Sequence, residues 1–520
     1  MGERSDREAR IDRSTTPFTG MASDATADAY DELLERYERI SNIQSAAGVL
    51  SWDQEVMMPD GGTPARSAQR SALSATSHEL LVEDETEAAL KEAESADLGG
   101  KEAAVVREIR RQYDRAARVP TDLVAEISQT TSEALPVWKE AKAEDDFETF
   151  APILEDLLDL KREYADHIDS SRPPYEVLFE DYEPYLGLDT AETILDRLRE
   201  ELVPLIDDVG ESDVELARPF EGTFDADAQE ALARDALDTL GYDWDRGRLD
   251  TAPHPFSTGT QFDARVTTRF DEEDPLGALM STVHEFGHAT YTLGLPDEEY
   301  GTPLGESRNL SVHESQSRLW ENHVGRSQPF WSLFLPKVTE RFAGLDDVTA
   351  RDAYEAANRV YDDNLIRVEA DELTYHMHIV LRFEIERALI EGDLDVREVP
   401  DVWNDKMDEY LGIRPDTDAE GCLQDIHWSH GSFGYFPTYS LGSVLAAQLY
   451  ASADEAIDDL DGDIEAGEFD ALHDWLTANV HSHGQRYTTP DLIEEATGEA
   501  FTADYFLDHA TEKYGALYDL

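Results

Sequence analysis

The stretch LMSTVHEFGHATYT, Leu279 to Thr292, places two histidines four residues apart with a glutamate directly after the first. Imidazole is a common ligand of zinc, and a catalytic zinc takes three protein ligands and keeps a fourth position for water. The wider segment DPLGALMSTVHEFGHATYTLG predicts a helix, with Asp274 as N-cap and Pro275 at its first position. On that helix His284 and His288 share one face about 6 Å apart along the axis, within reach of one tetrahedral ion. Glu285 falls on the neighbouring face. There it can touch a water at the open position, accept its proton and pass it to a leaving amine.

The motif alone also describes two surface histidines on an acidic helix, so a third ligand has to come from elsewhere. NLSVHESQSRLWENHVG provides a candidate: Val312, Leu319 and Val324 mark a buried helix side, and Glu314 stands 26 residues beyond His288. Glu306 and Glu298 compete for the role, and a solvated carboxylate is the plain alternative for Glu314. His313 reads as a core histidine or as a partner of a ligand. Gly287 costs about 1 kcal/mol in mid-helix relative to alanine, so it marks the close approach of another segment.

The elements that must position these residues are overwhelmingly helical. In YDELLERYERISNIQSAAGVLSW, Leu33, Leu34, Tyr37, Ile40 and Ile43 recur at three- and four-residue spacing. Similar periods cover 64–82, 103–117, 121–142, 147–167, 190–207, 226–240, 366–391, 440–452 and 468–480. The clearest strand is FDARVTTRF, where Phe262, Ala264, Val266, Thr268 and Phe270 alternate with polar residues. The expected fold is mainly α: a large helical body with a small β-sheet. Residues 1–20 carry four arginines at three-residue spacing and little apolar content, and are expected to be a disordered extension. Residues 21–520 are expected to form a single domain. The acidic run at 458–468 mimics a calcium loop, but the first ligand position would fall on Ile457; it reads as a solvated turn.

Charge sets the environment. Against 115 Asp and Glu stand only 43 basic residues, 8 Lys and 35 Arg, for a formal net charge of −72. Self-repulsion of this size is relieved by salt, since 1 M salt shortens the Debye length to about 3 Å. The chain reads as that of a salt-loving organism. Nucleic acid and anionic membranes are excluded as partners, because nothing here would neutralise phosphates. No apolar run approaches the ~18 residues of a membrane span, and a secretory h-region is not seen, so a cytoplasmic location is expected. Cys422 is the only cysteine, which excludes an intramolecular disulfide and a cysteine-based zinc site.

With these residues in place, HEFGH followed by HESQSR resembles the carboxypeptidase Taq family of thermostable metallocarboxypeptidases, here in a haloarchaeal-type acidic form. Further segments match its signatures in order: LSWDQEVMMPDGG at 50–62, HPF at His254–Phe256, DARVT at Asp263–Thr267, IRVEAD at Ile366–Asp371, GCLQDIHW at Gly421–Trp428 and GYFPTYSLG at Gly434–Gly442. The resemblance spans about 40–450. It implies a helical fold with a deep active-site groove, a gluzincin-like HExxH zinc site, a homodimer, and one Zn2+ per subunit, with Co2+ accepted. It also implies removal of C-terminal residues from peptides, broad in side chain but sparing proline. Carried over by position, His284, His288 and Glu314 become ligands and Glu285 the general base.

The remaining site candidates follow from what such chemistry needs. A free carboxylate suits a fixed guanidinium, and Arg367, near the start of a long predicted helix, is the candidate; pairing with Asp363 or Asp371 is its structural alternative. Arg265 and Arg269 share the polar face of their strand, whose edge could align substrate backbone. The developing oxyanion needs a donor, and Tyr435 is favoured over Tyr439; packing on Phe433 or Phe436 is the alternative. His254 could orient substrate. Asp425 and His427 are candidates to support the ligating histidines. His376, His378, His473, His481 and His483 read as structural or surface residues. Two rivals stand beside this reading: a thimet-type oligoendopeptidase, which shares HEFGH, and a helical binding or scaffold protein with a structural metal site. An intact Glu285 argues against the second.

Overall fold

The computed structural model describes residues 24–361 and 364–520; the N-terminal extension of the sequence reading lies outside them. The described residues form twenty α-helices and one three-stranded sheet near the middle. Most predicted periods fold as helices with nearly the same bounds: 121–142 lies within Thr121–Glu144 and 226–240 is Ala226–Leu240. The acidic run at 458–468 departs from the expected turn. It forms a short helix, Leu460–Ala466, because Leu460 and Ile464 are four residues apart and both buried.

The site is built by α1 (Asp24–Val56), α2 (Pro275–Gly294), α3 (Leu310–Arg318), α4 (Tyr375–Glu391) and α5 (Pro437–Ala456). The strands are β1 (Gly247–Thr251), β2 (Ser257–Thr260) and β3 (Asp263–Thr268), in the order β1-β3-β2. β3 pairs parallel to β1, with Ala264 opposite Gly247, and antiparallel to β2, with Ala264 opposite Gly259. The strand predicted to offer a free edge is therefore the central one, and the outer edges belong to β1 and β2.

Two large apolar cores flank the site. One holds the helices around Phe150, Leu178, Val380 and Trp403; the other holds the sheet, α2, and Trp320, Phe330 and Trp331. α5 serves both, with Leu441 and Val444 in the first core and Leu445 and Leu449 in the second. A helix buried on all sides must be apolar all round, which explains why LGSVLAAQL carries no charge. α3 lies against α5 and α2 at this seam, so its polar side chains meet inside the body.

Candidate metal centre and active site

α2 opens as its sequence dictates. Asp274 accepts the Gly277 N–H at 2.8 Å, and Pro275 stands in the first turn. One turn apart on this helix, the His284 and His288 rings meet edge to face with centroids 4.9 Å apart. α3 crosses at Gly287, where a Cβ would stand 2.5 Å from the Gln316 carbonyl oxygen and 2.6 Å from Ser317 Cα. The approach that the mid-helix glycine implied is thus made by the helix bearing Glu314. From the far side, a Cβ on Gly442 of α5 would meet Glu314 Cβ and Cγ at 2.5 Å. Glycines on two neighbours clear the space that α3 occupies, Gly442 at Glu314 itself and Gly287 at Gln316 and Ser317.

His284, His288 and Glu314 each bring a donor atom within 4.8 Å of the other two, and among the described residues no other group of three or more such side chains converges in this way. Glu314 Oε2 lies 3.7 Å from His284 Nε2 and 3.4 Å from His288 Nε2. Both Nδ1 atoms are engaged elsewhere: His284 with Glu321 Oε2 at 2.9 Å, His288 with His313 Nδ1 at 2.6 Å. Fixing Nδ1 turns each Nε2 toward Glu314. Burial holds His313 neutral, with its pKa pushed down to about 3. The competing carboxylates are elsewhere, Glu298 exposed and Glu306 held by Tyr37 and Ser41.

Arginines balance the carboxylates. Arg318 donates Nε to Glu314 Oε1 at 2.8 Å and Nη1 to Glu321 Oε2 at 3.2 Å; Arg326 reaches Glu321 Oε1 at 2.9 Å. Burial alone would raise both carboxyls, but Arg318 and His284 override it and hold both well below the usual carboxylate range. Glu285 differs. It is buried, its Oε2 has no hydrogen-bond partner, and desolvation raises its pKa against the pull of His288 and His284. Buried carboxylate oxygens are rarely left unpaired. The donor set suits a divalent ion, and the orphaned oxygen suits a proton acceptor beside it.

Arg367 does not begin a long helix. It lies in a 3-10 turn, Arg367–Glu369, and α4 starts only at Tyr375, because Asp371 accepts the N–H groups of Leu373 and Thr374 and resets the chain. Its ion-pair partner is Asp425, bonded to Nε at 3.1 Å and Nη2 at 2.8 Å, while Nη1 donates to the Tyr375 hydroxyl at 3.1 Å. Of the alternative partners, Asp371 serves the backbone and Asp363 lies outside the described residues. Asp425 also holds the fully buried Arg382 at 2.6 Å. It does not support the candidate ligands His284 and His288; its neighbours are two arginines and His427, whose Nδ1 is 3.6 Å away. The support expected of Asp425 and His427 comes from Glu321 and His313 instead.

Tyr435 and Tyr439 lie near enough to both Arg367 and Glu314 to feel their charges. Their rings are 5.2 Å apart, and Arg367 stands 5.2 Å over the Tyr439 ring. Tyr435 packs edge-on against Tyr182 at 5.1 Å and beside His427 at 5.4 Å. Burial raises both phenols, and the Glu314 charge adds to it. The loop that carries Tyr435, just ahead of the first turn of α5 with Tyr439, is fixed by Gly434, at φ +88°, whose N–H reaches Glu386 Oε2 at 3.1 Å. Glu386 also accepts Trp428 Nε1 at 2.9 Å and the Tyr175 hydroxyl at 3.2 Å.

The other candidates serve the fold or stand apart. Arg265 pairs with Asp263 and stacks 4.2 Å over Trp52; Arg269 is exposed, as is His254 in the β1–β2 connection. Backbone alignment by the β3 edge is ruled out, since both of its edges are paired. Sequence reasoning missed Glu321, Arg318, Glu183 and Glu386. Glu314, Arg318 and Glu321 stand at i, i+4 and i+7, one helix face, so that signal was available. Glu183 accepts the Ser311 N–H at 2.7 Å and its hydroxyl at 2.6 Å, capping α3 from 128 residues away, and nothing local announces it.

A helical body whose helices converge two histidines and a glutamate, with an unpaired glutamate beside them, defines a metallopeptidase of the HExxH class. The family model of the carboxypeptidase Taq (M32) metallopeptidases matches residues 32–514, and the chain belongs to that family. Thermostable carboxypeptidase 1 of Thermus thermophilus is 38% identical over 509 residues, covering 94% of this chain and 99% of the relative. Its Pyrococcus furiosus namesake is 38% identical over 488 residues. Among solved structures, the M32 carboxypeptidase of Deinococcus radiodurans is 37% identical with TM-score 0.92, covering 95% of this chain and all of that one. Trypanosoma cruzi metallocarboxypeptidase 1 is 34% identical with TM-score 0.89.

Proposed function

We propose that this metallocarboxypeptidase removes C-terminal residues one at a time, with broad side-chain tolerance and little action on proline, using one divalent ion per subunit held by His284, His288 and Glu314. Zinc is the default ion and cobalt an alternative. When bound, the ion would polarise the scissile carbonyl and make a water easier to deprotonate. Glu285 takes that water's proton on its unpaired oxygen and delivers it to the leaving amine.

Arg367 binds the substrate's terminal carboxylate. Of its five N–H donors, three are committed to Asp425 and Tyr375, which fixes the plane and leaves two for a carboxylate. The Tyr435 hydroxyl donates to the developing oxyanion, supported by Tyr439. Residues 21–520 act as one domain, the protein works as a cytoplasmic homodimer at high salt, and neither nucleic acid nor membrane is a partner. No described helix is long and apolar enough to cross a membrane.

The orphaned Glu285 oxygen beside a three-donor cluster carries this reading. In high salt, mass spectrometry of a digested ten-residue peptide should give a ladder from the C-terminus, and C-terminal amidation should abolish it. Glu285→Gln should keep its metal and lose on the order of 10²–10⁴ in rate. Internal cuts would favour the oligoendopeptidase, and an unaffected Glu285→Gln would refute the assigned base.

A further inference from the structure

A polar cavity of about 330 Å3 lies beside the metal-site helices, walled by β2, Thr292, His313, and Ser41 and Gln44 of α1. His313 forms part of this wall and touches the candidate ligand His288 on its other side. Beside His313 and Leu295 the lining is mostly hydroxyls, amides and backbone, with a single side chain from the Asp, Glu, Lys and Arg group: Glu306. Among the described residues its carboxyl accepts from two neutral donors, the Tyr37 hydroxyl at 3.1 Å and the Ser41 hydroxyl at 3.3 Å. Gln112 donates to the Tyr37 oxygen at 2.8 Å, which commits the Tyr37 hydrogen to Glu306. A carboxylate offers about four lone-pair sites, more than these two donors occupy. Burial pushes the Glu306 carboxyl up to about 7, with Glu108 adding to the rise.

A desolvated carboxylate without a cation is unfavourable, and a cation that enters the cavity removes the penalty. The free edge of β2 forms another wall, and an extended peptide can pair with such an edge. We propose that this cavity is a substrate subsite for an ammonium group, with Glu306 as its counter-charge. The group is the free α-amine of a short peptide or the side chain of an upstream lysine, upstream because Arg367 takes the other end. The inference rests on the carboxypeptidase reading, since it places the cavity on the N-terminal side of the scissile bond.

The test uses lysine-free peptides of three to eight residues, each with a free and an acetylated α-amine, on the full-length enzyme in high salt. At one length or two adjacent lengths, the free amine should raise kcat/KM about tenfold over its acetylated twin, as a charge-assisted hydrogen bond allows. The ratio should fall to about one in Glu306→Gln, and by about threefold in Glu306→Asp, which withdraws the charge by one methylene. Acetylated peptides with a single lysine moved along the chain form the second arm, and a maximum at one position would assign the cavity to a side chain. A wild-type ratio near one at every length together with no lysine maximum overturns the subsite, and this needs no variant to fold. A preference that survives in Glu306→Gln overturns it too. Trimming of the acetylated peptides from the C-terminus keeps the two outcomes apart: if trimming persists while the ratios stay flat, only the subsite fails.

Discussion

Replacing Gly287 with alanine tests whether the crossing of α2 and α3 sets the geometry of the metal centre. The added Cβ would meet three backbone positions: the Gln316 oxygen at 2.5 Å, Ser317 Cα at 2.6 Å and the Gln316 carbonyl carbon at 2.9 Å. Carbon contacts are comfortable near 3.5–4.0 Å, so the helices must part by roughly 1 Å at this point. Overpacking costs about 1–3 kcal/mol, and the upper end applies because backbone cannot rotate away. The better helix propensity of alanine returns about 1 kcal/mol, which leaves a net loss of about 2 kcal/mol. The functional effect should be larger, because Gln316 and Ser317 lie two and three residues past Glu314 on the same helix. A displacement of order 1 Å costs on the order of 10²-fold in rate. Chelator competition should show weaker metal binding, denaturant titration the lost stability, and kcat/KM the lost rate. Gly48→Ala is the control: its Cβ finds only Thr258 Oγ1 at 4.0 Å, so it should gain up to about 1 kcal/mol. If Gly287→Ala proves as stable as the wild type with unchanged metal affinity, the clamp argument is wrong.

Glu321→Gln removes the carboxylate that accepts from His284 Nδ1 and should weaken metal binding by about 10- to 100-fold, read by chelator competition; unchanged affinity would refute the role. Burial pushes the carboxyls of Glu183 and Glu386 from 4.5 up to about 8, against three hydrogen-bond donors each. The folded chain then keeps protons that the unfolded chain has released, so these groups make stability fall as pH rises from about 4.5 to 8. Glu386→Gln should flatten that decline by one proton's worth in denaturant titrations across the window, and an unchanged slope would refute it. Helicity and activity should fall on dilution from 3 M KCl to 50 mM, because a net charge of −72 is then poorly screened; circular dichroism unchanged over that range would remove the argument for a salt-adapted surface.

How much of the site could be read depended on how local its determinants are. His284, Glu285 and His288 needed only the helical period, and Gly287 the propensity of one residue. Glu314 needed a second helix recognised by its own apolar side, and Glu321 was legible in the same i, i+7 pattern. Arg367 was placed wrongly because the apolar period of α4 seemed to run back through residues 366–374, where the Asp371 side chain takes over the backbone donors. A side chain that competes with the helix ladder leaves no trace in hydrophobic spacing. The β3 edge failed for a similar reason: alternation shows that a strand exists, and strand order depends on contacts across the sheet.

The partnerships that escaped altogether are those of buried polar groups acting across long separations. Asp425 meets Arg367 from 58 residues away, and Glu386 reaches Gly434 across 48. Each is an acid that, alone in an apolar core, would be a liability, and in the fold each accepts several donors and fixes a loop. Burying such a group is tolerable only when all its partners arrive together. That requirement ties the Arg367 turn to the GCLQDIHW segment and the Tyr435 loop to α4. The candidate metal side of the site is therefore written in two helices, whereas the proposed substrate side exists only once the two cores have closed around α5.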